Sequence, residues 1–360
     1  MRSRSILNGP KFGVATRNDA RQPLGQTPPL RHYIVTSHYR SAAMSTALPG
    51  NEISVSAECP NRDAERVALR LPARVATLGE GMTIRRALPN KGKRMIGAWC
   101  FLDHAGPVDV STGDGMRVGP HPHTGLQTFT WMIDGEFFHR DSLGYEQLIR
   151  PGQVNLMTAG RGISHSEESP AQRSSVLQAA QLWIALPEDK RHIEPAFDHY
   201  PELPTHRQDD IDMTLLVGEA FGQHAPTRVY SPLLGMDLRS DGAAATQLPL
   251  RENFEYGVLV LTGSAEVEGE TLSPGELLYL GQHRQTLSLR FPHAAKILLI
   301  GGEPFAEDIL LWWNFIGRSQ AEIEGYVRQW NAGEAFGEVK GYPGARLPAP
   351  ELPAAMRLKS

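Results

Sequence analysis

The 360-residue chain is 41% apolar with a formal net charge of -4, long enough for two cores at roughly 100–200 residues per domain. That charge gives no general pull toward nucleic acid or an anionic membrane, and no stretch of the sequence approaches the roughly 18 consecutive apolar residues of a membrane span. Cys59 and Cys100 are the only cysteines, too few for a disulfide framework or a CxxC zinc site, which makes a reducing cytoplasm the default compartment.

Taken from the start, residues 1–43 hold seven Arg/Lys against the single Asp19, so a leader of +6 leaves -10 for the rest. An Arg-rich, Ser-containing, acid-poor leader fits an organellar transit peptide, and it fits equally a translation start placed too early, with Met44 the true one; the second reading is preferred. Residues 1–70 as a whole are polar, punctuated by Pro and Gly, and are expected to form a disordered extension. From about Arg74 the chain runs in short apolar or alternating pieces cut by turns, among them "TFTWMIDGEFF", "RPGQVNLM", "LQAAQLWIAL", "YGVLVLTGSAEV" and "KILLIGG". Many short strands with frequent turns predict an all-β sandwich or barrel. Two such domains are expected, over 71–195 and 205–305, joined by a linker within the Pro-, His- and Asp-rich stretch 194–212. The remainder, 306–360, is expected to form a helix and tail, because Ile323, Tyr326, Val327 and Trp330 recur at helical spacing with Gly333 as the stop.

A weak internal repeat supports two copies of one β unit. "MIDGEFF…LIRPGQVNLM" and "VLTGSAEVEGETLSPGELLYL" share strand, Gly turn, strand, Pro-Gly turn, strand, with Gly135 answering Gly263 and Gly152 answering Gly275.

The chemistry concentrates in the first copy, in "VGPHPHTGLQT" and "TAGRGISHSEE". Residues i and i+2 of a strand share a face about 7 Å apart, so His121 and His123 converge, and His165 and Glu167 do the same. Two neighbouring strands would then offer three imidazoles and a carboxylate, a donor set for Fe(II), Mn, Co, Ni, Cu or Zn in which the lack of thiolate argues against a purely structural zinc site. A lone His-x-His is more often a pair of surface or hydrogen-bonded histidines; the second motif and the flanking glycines shift the balance to a metal. Counted from the repeat's glycines, the four positions fall in the second copy on Pro249, Arg251, Ser288 and Arg290, none a comparable ligand set.

"FLDHAGP", "HPHTGLQTFTWMIDGEFFHRDSLG", "PGQVNLMTAGRGISHSE" and "WWNFIGRS" together resemble the signature blocks of the pirin family, bicupins whose amino-terminal barrel binds iron. The resemblance spans about residues 78–338. It implies two stacked jelly-roll barrels with a carboxy-terminal helix, the first barrel alone metallated, and it places the metal ligands on His121, His123, His165 and Glu167. Many pirins read "HPHRGFE" where this chain reads "HPHTGLQ", which puts the charge and hydrogen bonding near the metal in question at Thr124 and Gln127. The implied activity is that of a mononuclear Fe(II) dioxygenase, quercetin 2,3-dioxygenase-like, using O2 on a small aromatic or enolic substrate with Glu167 as catalytic proton acceptor. The alternative is a metal- and redox-dependent regulatory protein with a protein partner; neither nucleic acid nor a membrane is expected as a partner. His139, within a block shared with the family, either approaches the pocket or, as the preferred reading, is an edge-strand histidine bonded to a turn, and Trp312, Trp313 and Phe315 read as core packing.

Overall fold

The computed structural model describes residues 53–79 and 82–352; the leader over 1–43, with both readings of it, lies outside the described residues. Strands form both where apolar and polar residues alternate, as over Phe137–Asp141, and where short apolar runs are buried on both faces, as over Glu255–Thr262 and Ala295–Gly302. They run as β1 (Ser54–Val55), β2 (Arg66–Pro72), β3 (Arg74–Leu78), β4 (Met82–Leu88), β5 (Trp99–Asp109), β6 (Arg117–His123), β7 (Leu126–Asp134), β8 (Phe137–Asp141), β9 (Glu146–Ile149), β10 (Val154–Thr158), β11 (Ile163–Glu168), β12 (Val176–Ala185) and β13 (Ala196–Tyr200). A second series follows as β14 (Thr205–Gln208), β15 (Ile211–Val217), β16 (Glu219–Ala220), β17 (Gln223–His224), β18 (Leu233–Ser240), β19 (Ala244–Pro249), β20 (Glu255–Thr262), β21 (Ala265–Val267), β22 (Glu270–Leu272), β23 (Glu276–Gly281), β24 (Thr286–Phe291) and β25 (Ala295–Gly302). A short pair, β26 (Leu310–Trp312) and β27 (Phe315–Gly317), leads into α1 (Gln320–Ala332). Among the described residues no helix is long and apolar enough to cross a membrane.

The two series fold on one plan. In the first module the seven-stranded sheet β13-β10-β7-β12-β5-β4-β3 accompanies the four-stranded sheet β6-β11-β8-β9; in the second, β14-β15-β18-β25-β20-β23-β2 accompanies β19-β24-β21-β22. This is the expected all-β, jelly-roll bicupin. Along β7 the period-two rule separates two environments: Phe129 and Trp131 join the core between the modules, while Thr128 turns to the opposite side and lines the cavity of the first module. The intermodule core includes Trp99, Leu182, Leu259, Tyr279 and Ile300 from both large sheets. Burying a large apolar side chain is worth roughly 1.5–3 kcal/mol, so the modules stay together.

Two boundaries differ from the sequence expectation. The 1–70 extension ends early, because β1 pairs with β26 and β2 pairs with β23 of the second module, Arg70 opposite Leu278. Its apolar alternation, Val67, Leu69 and Leu71, packs on the intermodule core. Nor is 194–212 a free linker: β13 pairs with β10 and β14 with β15, each as a sheet edge. Edge strands tolerate the Pro and polar residues that suggested a loop.

Helix α1 keeps its expected face, with Ile323, Val327 and Trp330 buried. The Ser319 hydroxyl accepts from the Glu322 backbone N–H at the start, and Gly333 ends the helix at φ 74°, the left-handed conformation glycine adopts without a Cβ penalty. Trp312, Trp313 and Phe315 pack in the core beneath it.

Candidate metal centre

Strand β6 is the edge of its sheet, which is why it accommodates Pro120 and Pro122 between and beside its histidines. It pairs with β11 so that His121 lies opposite His165 and His123 opposite Ile163. The side-chain donors of His121, His123 and His165 all lie within 4.8 Å of one another, all buried. The Nε2 atoms of His123 and His165 are 3.1 Å apart. Two donors at right angles on one ion, each about 2.1 Å from it, stand about 3.0 Å apart, so the spacing suits a first-row metal.

The protonation pattern also suits one. Burial pushes the His121 pKa down to about 4 and those of His123 and His165 well below the usual imidazole range, so all three are neutral donors near pH 7. The His121 Nδ1–H donates to the Gly119 carbonyl at 2.8 Å, which leaves Nε2 as the lone-pair atom. A longer chain orients His165. His139 Nε2–H donates to Asp141 Oδ2 at 3.2 Å, and the His165 Nδ1–H donates to His139 Nδ1 at 3.3 Å, again freeing Nε2. Asp141 is itself fixed, its Oδ1 accepting from the backbone N–H groups of Leu143 and Tyr145.

His139 is thus a correction to the preferred sequence reading. Strand β8 lies between β11 and β9, and Phe137, His139 and Asp141 alternate inward as a buried set. That alternation in "FFHRD" was the available signal. Glu167 lines the same cavity as the triad, yet its carboxylate stands outside the 4.8 Å cluster. A bulge falls between His165 and Glu167 in the pairing of β11 with β6, and bulges re-aim the side chains beside them. With no cation beside it, burial pushes the Glu167 pKa up to about 7.

The cavity itself has about 50 Å³ of free volume and opens through a mouth to the surface. Its walls are mostly apolar and include Ile84, Met116, Val118, Phe137 and Trp183. Trp183 stacks on Phe101 at 4.0 Å and stands edge-on to His123 at 5.0 Å. Four polar wall residues, Asp103, Thr128, Gln181 and Asn314, were not among the sequence candidates. Asp103 is held by a two-point pairing with Arg86, at 2.8 and 2.6 Å. Gln127 faces away from the cavity, its Nε2 donating to Thr158 Oγ1 and to the Arg228 carbonyl of the second module. The replacement of "RGFE" by "TGLQ" therefore leaves the polar groups of the centre unchanged at Gln127.

In the second module the strands matching β6 and β11 are β19 and β24, where Thr246 faces Leu289 and Leu248 faces Leu287. Those side chains are buried, and the three leucines join an apolar core with Phe291 and Val258. The residues expected from the glycine offsets, Ser288 and Arg290, sit one position out of register, on the opposite face. Among the described residues the matching positions of the second module thus carry threonine and leucine in place of histidine.

Two stacked jelly-roll modules of one plan, with a buried histidine cluster in the first and a filled apolar interior in the second, define a bicupin. Residues 81–184 match the Pirin family and residues 235–337 the Pirin C-terminal cupin domain. The chain belongs to the pirin family. It is 53% identical over 304 residues to a Pseudomonas aeruginosa protein named "Putative quercetin 2,3-dioxygenase", covering 84% of this chain and 96% of that one. A Caulobacter vibrioides pirin-like protein is 35% identical, covering 74% of this chain and 94% of its own length. Among solved structures, quercetin 2,3-dioxygenase from Acinetobacter baumannii superposes with a TM-score of 0.78 at 50% identity, covering 81% of this chain and 97% of that one.

Proposed function

We propose that the protein is a mononuclear non-haem Fe(II) dioxygenase that opens a flavonol or related enolic ring with O2. The observation that carries this reading is the buried, neutral cluster of His121, His123 and His165 at the wall of an apolar cavity, in a chain half identical to a solved quercetin 2,3-dioxygenase. The three imidazoles would hold the ion, with Glu167 as a fourth ligand or close neighbour. Fe(II) would supply Lewis acidity toward a substrate hydroxyl and redox chemistry with O2.

The chain's own groups do the rest. Glu167, which lines the cavity with the histidines and would be ionised with a cation beside it, is placed to accept the proton of that hydroxyl. Glu168 is no substitute, because it points to the other face of β11 and pairs with Arg140. The apolar walls exclude water from a reactive enolate and strengthen its contacts with the charged groups of the site. Both oxygen atoms of O2 would enter the opened product.

An oxygen electrode tests this. Metal-loaded protein given quercetin should consume one O2 per flavonol, in proportion to its metal content. Metal-loaded protein that consumes no O2 with quercetin or any other polyphenol contradicts it.

A further inference from the structure

We infer that Asn314 is a substrate-positioning residue, whose carboxamide grips an adjacent ketone and hydroxyl of the ring substrate. This rests on the flavonol-type reading above and extends it to a residue far from the metal motifs in sequence.

Asn314 lies in the connection between β26 and β27, beyond the second module in sequence, yet it forms part of the first module's cavity wall. The docking is backbone-made: the Ile316 N–H donates to the Thr124 carbonyl at 3.1 Å, and Phe315 bridges Thr124 directly after the His-x-His pair. Trp313 adopts φ 52°, a conformation costly for an aromatic residue. Its ring is anchored in the core against Phe315, and the strained turn leaves Asn314 at the cavity. The Asn314 backbone carbonyl lies beside the His123 ring.

The side chain is 1% exposed, and both its Nδ2 and its Oδ1 lack a hydrogen-bond partner among the described residues. A buried amide left unmatched at both ends is destabilising, and a leucine of similar volume would pack there at less cost. Neighbouring wall groups are engaged: Asp103 with Arg86, and Gln181 as acceptor from the Thr130 hydroxyl. Asn314 therefore presents a free donor beside a free acceptor. The complementary ligand edge is an acceptor beside a donor, the ring ketone and the hydroxyl on its far side (the 4-keto and 5-hydroxyl of a flavonol such as quercetin), not the enolic hydroxyl whose proton goes to Glu167. Nδ2–H would donate to the ketone and Oδ1 would accept from the hydroxyl.

The test is anaerobic titration of metal-loaded wild type and Asn314→Leu with quercetin and with flavone, which keeps the ring ketone but has no hydroxyl groups, followed by tryptophan fluorescence. Metal content of the variant should equal that of wild type. Its preference for quercetin over flavone should fall at least about five-fold, the value of one buried hydrogen bond. An unchanged preference in a variant with full metal content overturns the assignment and leaves the flavonol reading standing. A wild type that binds neither compound overturns the flavonol reading and this assignment together. Should the leucine variant fail to fold, Asn314→Ala carries the same comparison: a reduced preference supports the assignment and an unchanged one overturns it.

Discussion

At the scale of single residues, the centre depends on tautomers fixed by neighbours as much as on its three imidazoles. Replacing His121, His123 or His165 by Ala should strip most of the metal, because each removes one of three clustered donors. Asp141→Asn is the subtler test. It preserves size but can place an amide N–H against His139 Nε2, reversing the donor order through His139 to His165. A 10- to 100-fold loss of metal affinity is expected, read by chelator competition; unchanged affinity would show that the chain does not orient His165. Glu167 sets the pH dependence. Its pKa of about 7 without a cation means that below pH 7 a proton must leave when a cation binds beside it. Affinity should therefore fall roughly tenfold per pH unit below 7 and flatten above it. His121, at about 4, joins only in more acid solution. Glu167→Gln should flatten the slope between pH 5 and 7 and reduce turnover beyond its metal loss; a slope that survives the substitution assigns the proton elsewhere.

At the scale of elements, the glycine of "HPHTG" shows how a short motif encodes a distant contact. Gly125 has φ 69°, and a Cβ there would stand 2.6 Å from the Ile316 carbonyl oxygen of β27. Gly125→Ala should cost about 1–3 kcal/mol in urea unfolding and push β27, with the Asn314 turn, off the cavity. A variant of wild-type stability would mean that the two segments are not held in register. The same scale shows what the sequence made legible. Helix α1 could be read residue by residue, because Ile323, Val327, Trp330, Ser319 and Gly333 carry local spacing and capping signals. The histidine pairs were legible because period two puts i and i+2 on one face. Asn314 was not, since a single Asn in a tryptophan-rich segment has no period, and its place at the cavity depends on pairing with Thr124 190 residues earlier. The offset of Glu167 was hidden in the same way, because a bulge in the opposing strand leaves no mark on "HSE".

At the scale of the whole molecule, one module has an open interior and the other a filled one, and they share the core between their large sheets. Strand β2 ties them further, since it precedes the first module in sequence and completes a sheet of the second. Such pairing between distant segments has no local signature, which is why residues 66–70 read as part of an extension. The Trp131 Nε1–H donates across the interface to the buried Asp237 Oδ2 at 3.0 Å. Trp131→Phe should therefore destabilise the protein by about 1–3 kcal/mol by leaving that carboxylate unmatched, with metal content unchanged; loss of metal in this variant would show that the interface shapes the centre. The central claim is that one metal binds, in the first module, on His121, His123 and His165. An anomalous-difference map from crystals of iron-loaded protein, collected at the iron edge, tests it most directly. The account predicts one peak per chain within coordination distance of the three histidines; no peak there, or a peak among Leu248, Leu289 and Phe291 of the second module, would contradict it.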